Sequence, residues 1–420
     1  MAVTPGAPDV GRGAAPGEAV SRLTRVARSR LVRRALRSGP ARRLTTQLVA
    51  AQRAPEDPAA PHVAWAELER SGPTALAPGE PPAEGPMEIA FVVPEFKQGS
   101  GGHTTIANLV RGLERRGHAC SVWLHDPLGR TGGGEEFRAF FGPFDAAVHD
   151  NLAAWRGADV AVATGWQTVA PVVLAPGCRA RAQLVQDEEP EFYPASAERL
   201  WAERAHALGL HCVTAGTWLA ERMKARGLSA TAFDLGIDHG TYRRSPCVVR
   251  ARDRVLFYAR TATPRRAVPL GMLALAELTR RRPGLEIALY GDSAPLAAPF
   301  PFTQLGILDA PGVARAYAQA TVGLVLSLTN HSLGAQEMAA CGLPVVELRT
   351  PSTEAAFGDS PITLADASPA ALADALERLL TNRDERRERS EAGLRWAAPR
   401  TWEAAAEAVE AGLRAASGNR

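Results

Sequence analysis

Three arginines crowd the end of a short apolar run. In "LFYARTATPRR" (256–266), Arg260, Arg265 and Arg266 follow a strand candidate at once. Cations gathered at a strand end suit an anion, and a guanidinium matches paired phosphate oxygens bidentately. A diphosphate therefore fits Arg260 and Arg265. For Arg266 taken alone, surface salt bridging is the plainer role. A second stretch, "SLTNHSLGAQEMAACGLPVVE" (327–347), reads as strand end, polar loop, helix, glycine and strand. Ser332, Leu333 and Gly334 would present unpaired N–H groups at the helix start, a second anion site, with Asn330 and His331 in the loop before it. Glu337, read in the first turn, offers a carboxylate to the two vicinal hydroxyls of a ribose or else partners the helix dipole.

A third stretch, "EFKQGSGGHTTIANLV" (95–110), places Gly99, Gly101, Gly102 and His103 between an apolar run and a helix. Glycines there let a phosphate approach the backbone, or make a turn that other residues cannot. The spacing matches neither G-x-G-x-x-G nor the P-loop. On this loop alone both readings stand.

The elements that must position these residues alternate. Strand candidates are Glu88–Val93, Cys120–Leu124, Val160–Thr164, Ala182–Val185 and Cys212–Thr214, with helices around 104–116, 167–174, 196–208 and 217–226. After a break near Tyr242–Asp253 the pattern restarts with Val255–Tyr258, Ile287–Tyr290, Thr303–Leu305, Val322–Leu326 and Val345–Glu347. Helices are expected near 268–281, 311–319, 334–341, 369–380 and 384–394. This is an α/β chain with two doubly wound, Rossmann-like domains facing a central cleft, where ligands sit at the carboxyl ends of the strands. The expected division is a basic arm (1–53), a Pro/Ala/Gly-rich linker (54–86), a first domain (87–245), a second domain (253–400) and a final helix (401–416) crossing back to the first domain.

Composition bounds the class. The 420 residues are 46% apolar and 22% charged, as a globular core requires. No apolar run approaches the roughly 18 residues of a membrane span, and no secretory h-region is visible. Five scattered cysteines (120, 178, 212, 247, 341) lack metal-ligand spacing and suggest reduced thiols in a cytoplasmic protein. The net charge of +3 hides an asymmetry: residues 1–53 hold eleven arginines against Asp9 and Glu18, a net of +9, which leaves −6 for the rest. Leu23, Ala27 and Leu31 recur at four-residue spacing among those arginines. The arm therefore reads as peripheral attachment to an anionic membrane face, or as a solvated basic tail. It lacks an aromatic residue for stacking on bases, so no nucleic-acid partner is expected.

From about Met87 to Leu413 the chain resembles the retaining family-four glycosyltransferases of the GT-B fold. "FYARTATPRR" is similar to that family's phosphate motif, with Arg260 in place and Arg265 where a lysine usually stands. "LYGD" (289–292) and "LGILDAPGVARAYAQATVGLVLS" (305–327) resemble its second-domain strand, base-binding loop and helix. "QEMAACGLPVV" resembles the end of its Glu-seven residues-Glu motif, "GSGGH" its first-domain glycine loop and "LGIDHGTY" (235–242) its interdomain strand exit. "LVQDEEPEFYP" (184–194) and "PEFKQGSGGHTTI" look like the subgroup with rhamnosyltransferases of bacterial surface-polysaccharide assembly.

The resemblance implies transfer of a hexose, rhamnose or similar, from a nucleoside-diphosphate sugar to a glycan or lipid-linked acceptor, with retention. No clustered carboxylates with metal spacing appear, so neither a metal nor another cofactor is expected. Gly101, Gly102, Gly291, Gly306, Ile307, Leu308, Asn330, His331, Ser332, Leu333 and Gly334 would bind the donor. Arg260, Arg265, Glu337, Asp187 and His103 would serve the reaction. Asp187 and Glu188, at a first-domain strand end, would orient the acceptor hydroxyl or else cap the helix at 196–208. One departure stands out: Thr329 occupies the place of the family's first Glu, which contacts the transferred sugar. A deoxy or differently configured sugar fits that change, and so does a sugar-nucleotide-binding scaffold without turnover.

Overall fold

The computed structural model describes residues 59–245, 253–358 and 361–416. The basic arm, 1–53, lies outside them. Among the described residues, thirteen strands form two wholly parallel sheets, as the alternation of apolar runs predicts. The first holds β1 (Glu88–Pro94), β2 (Ala119–His125), β3 (Ala147–His149), β4 (Ala158–Ala163), β5 (Cys178–Val185), β6 (His211–Ala215) and β7 (Ala230–Phe233), in the order β3-β2-β1-β4-β5-β6-β7. The second holds β8 (Arg254–Tyr258), β9 (Glu286–Tyr290), β10 (Thr303–Gln304), β11 (Val322–Leu324), β12 (Val345–Leu348) and β13 (Thr363–Ala365), in the order β10-β9-β8-β11-β12-β13.

The order reverses between β1 and β4 in one sheet and between β8 and β11 in the other. A crevice opens at such a switch point, because neighbouring strands send their crossover helices to opposite faces. The glycine loop follows β1. The arginine loop follows β8, and the polar loop with Ser332 follows β11. Topology alone thus sends all three stretches to crevice mouths.

Both faces of the first sheet are covered. Along β1, Ile89, Phe91 and Val93 enter one core, and Ala90 and Val92 the other. Strand side chains alternate between faces, so a strand buried on both reads as one apolar run. The helix Gly101–Arg115 lays Ile106, Leu109, Val110 and Leu113 on the first of these cores. The final helix, Trp402–Ala415, packs against that same helix and against β6 and β7. It arrives there through an Ile237–Thr401 bridge, with the Ile237 N–H donating to Arg400 O at 3.1 Å.

Short elements unforeseen in the sequence include β3, β7, β13 and the helices Gly133–Phe141 and Pro351–Phe357. The helix expected from 104 starts at Gly101, so two of the loop glycines belong to its first turn. The stretch 54–86 is no free linker where it is described. Val63–Ser71 is a helix whose Trp65 and Leu68, one turn apart, are buried on the first domain. The chain after it is pinned by Thr74 N–H to Val173 O (3.2 Å) and Ala77 N–H to Cys178 O (2.7 Å). Two large apolar anchors outweigh the flexible composition around them.

The contact of the last helix with the helix Gly101–Arg115 depends on Gly112. A Cβ there would lie 2.5 Å from the Ala406 Cβ and 3.3 Å from Trp402 O, neither of which can swing aside. We therefore expect Gly112→Val to cost about 1–3 kcal/mol in chemical denaturation. Unchanged stability would show that this helix pair is looser than drawn.

Candidate active site

Arg260 leaves the end of β8 and reaches the glycine loop of the other domain. Its Nη1 donates to Gly99 O at 3.0 Å and its Nη2 to Gln98 O at 3.3 Å. Gly99 has φ +73°, and a Cβ there would come within 3.0 Å of Arg260 Nη1 and 3.7 Å of Ile307. This is the loop glycine whose geometry requires glycine. Ile307 is 41% exposed beside it, whereas Leu308 packs into the second-domain core. Gly291 (φ +103°) leaves no room for a side chain, since its Cβ would lie 2.6 Å from the Tyr258 ring. Its N–H donates to Gly306 O at 2.9 Å, so these two glycines shape the loop beneath Arg260.

Arg265 also crosses the cleft. Its Nε lies 3.0 Å from Asp187 Oδ2, and its guanidinium carbon sits 4.0 Å from the centre of the Phe192 ring. Burial pushes the Asp187 pKa up, and Arg265 is the main counterweight. Thr329 is buried nearby. Its hydroxyl favours the charged form of Asp187 without the alignment of a full hydrogen bond. Arg266 turns inward instead, donating to Ser327 Oγ at 2.7 Å. Ser327 is in turn bound to the buried Glu347, which burial pushes up to about 7.

The loop after β11 departs from expectation at two residues. Asn330 is not open to a donor: its Nδ2 donates to Gln186 O (2.9 Å) and Ala215 O (3.1 Å) of the first domain, and its Oδ1 accepts from Ser352. His331 lies against Gly216, where a Cβ would be 3.3 Å from its ring, and burial lowers its pKa to about 4. Both residues fasten the two domains together. Ser332 is the N-cap of the helix Leu333–Ala340, and its buried Oγ has no hydrogen-bond partner. Gln336, which drew no attention as sequence, adds a further tie by donating to Leu235 O and Gly236 O.

Glu337 is the fifth residue of that helix, just past the first turn, which holds no acidic residue. That weakens a dipole role, since the effect fades beyond the first turn. Burial pushes its pKa up to about 8, opposed by the Tyr317 hydroxyl, which in turn meets Tyr290 Oη at 2.8 Å. Gly334 lies above these phenols: a Cβ there would be 3.7 Å from each hydroxyl.

On the first-domain side, Gly101 faces Leu333 (3.9 Å from a Cβ position) and Gly102 faces Gln186. The N-termini of Gly101–Arg115 and Leu333–Ala340 therefore meet across the cleft. His103 sits in an aromatic box, stacked on Phe141 and edge-on to Phe96, with Nδ1 2.7 Å from Ser100 Oγ. Burial lowers its pKa to about 4, so it stays neutral at neutral pH and packs more than it titrates.

Of three consecutive acids, only Asp187 faces the cleft charge. Glu188 is held by Arg222 at 2.7 Å and by Arg226, with its side chain 1% exposed, so its oxygens are spent within the first domain. Neither residue caps the helix Ala197–Ala207; Ser196 does. Glu189 accepts the N–H of Trp166 at 2.6 Å, and burial pushes its pKa up to about 8. No spacing rule picks out which of three adjacent carboxylates turns which way. Among the described residues no group of His, Cys, Asp and Glu gathers as a metal site. A cavity of about 820 Å³ lies elsewhere on the second domain, lined by Leu256, Phe300 and Phe302, and none of the candidate site residues lines it.

Glu189 makes stability depend on pH. Its folded pKa lies above the ordinary 4.5, so between about pH 4.5 and 8 the unfolded chain releases a proton that the folded chain keeps, and stability falls as pH rises. Glu189→Gln keeps an acceptor for Trp166 and removes the titration. We expect the loss of unfolding free energy from pH 5.5 to 8.5 to shrink by at least about 1 kcal/mol in the variant. An identical pH profile would contradict this placement of Glu189.

Residues 253–377 match the family described as WsaF, C-terminal domain. The chain is 30% identical over 372 residues to the O-antigen biosynthesis protein RfbC of Myxococcus xanthus. That match covers 82% of this chain and 28% of the relative, so the chain spans little more than a quarter of its length. Among solved structures it is similar to sucrose-phosphate synthase from Thermosynechococcus elongatus (TM-score 0.61, 16% identity, 78% of this chain and 98% of that one). It is also similar to Anabaena Alr3699/HepE in complex with UDP-glucose (TM-score 0.60, 13% identity, 78% of this chain and 100% of that one). Identities this low speak to architecture, and the architecture is the GT-B fold: two parallel-sheet, Rossmann-like domains facing one cleft.

Proposed function

We propose that the chain is a glycosyltransferase of surface-polysaccharide assembly, moving a sugar from a nucleoside-diphosphate sugar to a glycan or lipid-linked acceptor. The observation that carries this is the meeting, in one cleft, of Arg260, Arg265 and two helix N-termini from opposite domains. Departure of a nucleoside diphosphate builds negative charge on its phosphate oxygens. Fixed guanidinium groups and unpaired N–H donors at that point stabilise the charge without reorganising as it forms. The likeness to a structure holding UDP-glucose and to an O-antigen biosynthesis protein supports the same reading.

In this scheme Arg260 and Arg265 meet the diphosphate, while Ser332–Gly334 present N–H groups to it. Glu337 receives ribose hydroxyls, and Ile307 lies beside the base. The positive charge comes from arginine, so transfer is expected to proceed without a metal. We assign retention because the resembled family retains, and rhamnose or a similar hexose as the transferred sugar because Thr329 stands where that family carries a charged sugar contact. A second reading, a nucleotide-sugar-binding scaffold without turnover, is favoured by that same threonine.

Isothermal titration with a panel of UDP, GDP, ADP and dTDP, and with their sugars, separates these roles. Glu337→Ala should weaken the best nucleoside diphosphate and its sugar form alike, by about 1–3 kcal/mol. Thr329→Ala should leave the diphosphate unchanged and act on the sugar form alone. Unaltered diphosphate binding in Glu337→Ala would remove the ribose assignment. Binding by the parent with no transfer or donor hydrolysis would favour the scaffold.

The arm, with its +9 charge, is assigned to an anionic membrane face on the cytoplasmic side. Deleting residues 1–53 should sharply reduce sedimentation with phosphatidylglycerol vesicles at low salt and leave sugar transfer in solution intact. Equal sedimentation of both chains would refute it.

A further inference from the structure

Asp187 gives Arg265 what a phosphate would give it. The carboxylate places an anionic oxygen 3.0 Å from the Nε, and Phe192 covers a face of the same guanidinium. Carboxylate and phosphate oxygens seek the same planar fork of donors. Arg265 keeps 31% of its side chain exposed, so an incoming anion can reach it, whereas Asp187 keeps 12%. The neighbouring acids cannot take over this part. Glu188 is locked by Arg222 and Arg226, and Glu189 is pinned to the Trp166 N–H. Asp187 is also bonded on its other oxygen, which accepts the Glu188 N–H at 3.0 Å.

Resting on the donor site proposed above, we infer that Asp187 competes with the donor diphosphate for Arg265, and that donor binding frees its carboxylate to accept a hydrogen bond from the acceptor hydroxyl. A carboxylate this buried is costly without a partner. Once Arg265 turns to the diphosphate, the Asp187 Oδ2 loses its ion-pair partner and must find a donor, and Thr329 is not aligned to be one. An acceptor hydroxyl meets that need at the domain edge where the two helix N-termini converge. The exchange orders the reaction: donor first, acceptor second. Asp187 thus acts as a positioning residue for Arg265 before donor binding, and touches substrate only after it.

The test is the sign of a change. A residue that merely orients Arg265 makes diphosphate binding weaker when its charge is lost; a competitor makes it tighter. Titrate the full chain and Asp187→Asn with UDP, GDP, ADP and dTDP at pH 7.5, and measure transfer with the matching sugar donor. Asp187→Asn should bind the preferred diphosphate about three- to tenfold more tightly, with a lower donor KM and a kcat reduced at least about tenfold. Asp187→Ser serves as a second variant should the first not fold, and carries the same expectation. Unchanged or weaker diphosphate binding in the folded variant overturns the inference. If the parent binds none of the four diphosphates, the donor site itself is wrong and the inference falls with it. If the parent binds one and Arg260→Ala weakens it while Asp187→Asn does not tighten it, the donor site stands and only the competition fails.

Discussion

Several polar side chains at the mouth of the cleft find their hydrogen-bond partners on the opposite domain. Asn330 is the clearest case. Its amide has two protons, and both go to first-domain carbonyls at 2.9 and 3.1 Å. Gln336 donates to Leu235 O and Gly236 O, and Arg260 to Gly99 O. A buried amide that loses its partners costs on the order of 1–3 kcal/mol, so the Asn330 and Gln336 bonds resist opening. Together they fix how closely the glycine loop approaches Arg260 and Leu333. The site is a consequence of that closure, because neither domain alone assembles the cations, the helix termini and Asp187.

The same principle sorts the charges. Besides Asp187, which burial also raises, Glu189 and Glu337 are pushed up to about 8 and Glu347 to about 7, each through burial first. Two are tied to backbone N–H groups and one to a tyrosine hydroxyl. Asp187 differs in having a guanidinium from across the cleft as its main counterweight. A charge stabilised by a partner on the other domain responds to anything that engages that partner, and a charge stabilised by its own backbone does not.

The long elements were legible in the sequence because burial on both faces leaves uninterrupted apolar runs, and because helical spacing in Ile106, Leu109, Val110 and Leu113 is unmistakable. β3, with three residues, and β7, with four, are edge strands too short to show a pattern. Trp65 and Leu68 were hidden in a Pro- and Ala-rich stretch whose composition suggested freedom. At the candidate site, residue type and strand-end position drew attention to Arg260, Arg265 and the Ser332 helix start, which the structure brings to the cleft. Which side chains turn across the cleft was not readable. Asn330 and His331 sit in the polar loop as a ligand-binding pair would, yet long-range packing gives them to the first domain. Glu188 and Asp187 are neighbours in sequence, and only Arg222 and Arg226, far along the chain, decide that one is structural.

The central claim is that a nucleoside diphosphate binds between the sheets at Arg260, Arg265 and the two helix starts. Amide hydrogen exchange with and without saturating preferred nucleoside diphosphate tests it most directly, since bound ligand protects the backbone it contacts and the segments it holds closed. Protection should rise together in 98–104, 260–266 and 332–337, on both sides of the cleft, and stay unchanged around Phe300 and Phe302 at the separate cavity. Protection confined to that cavity, or to one domain alone, would contradict it.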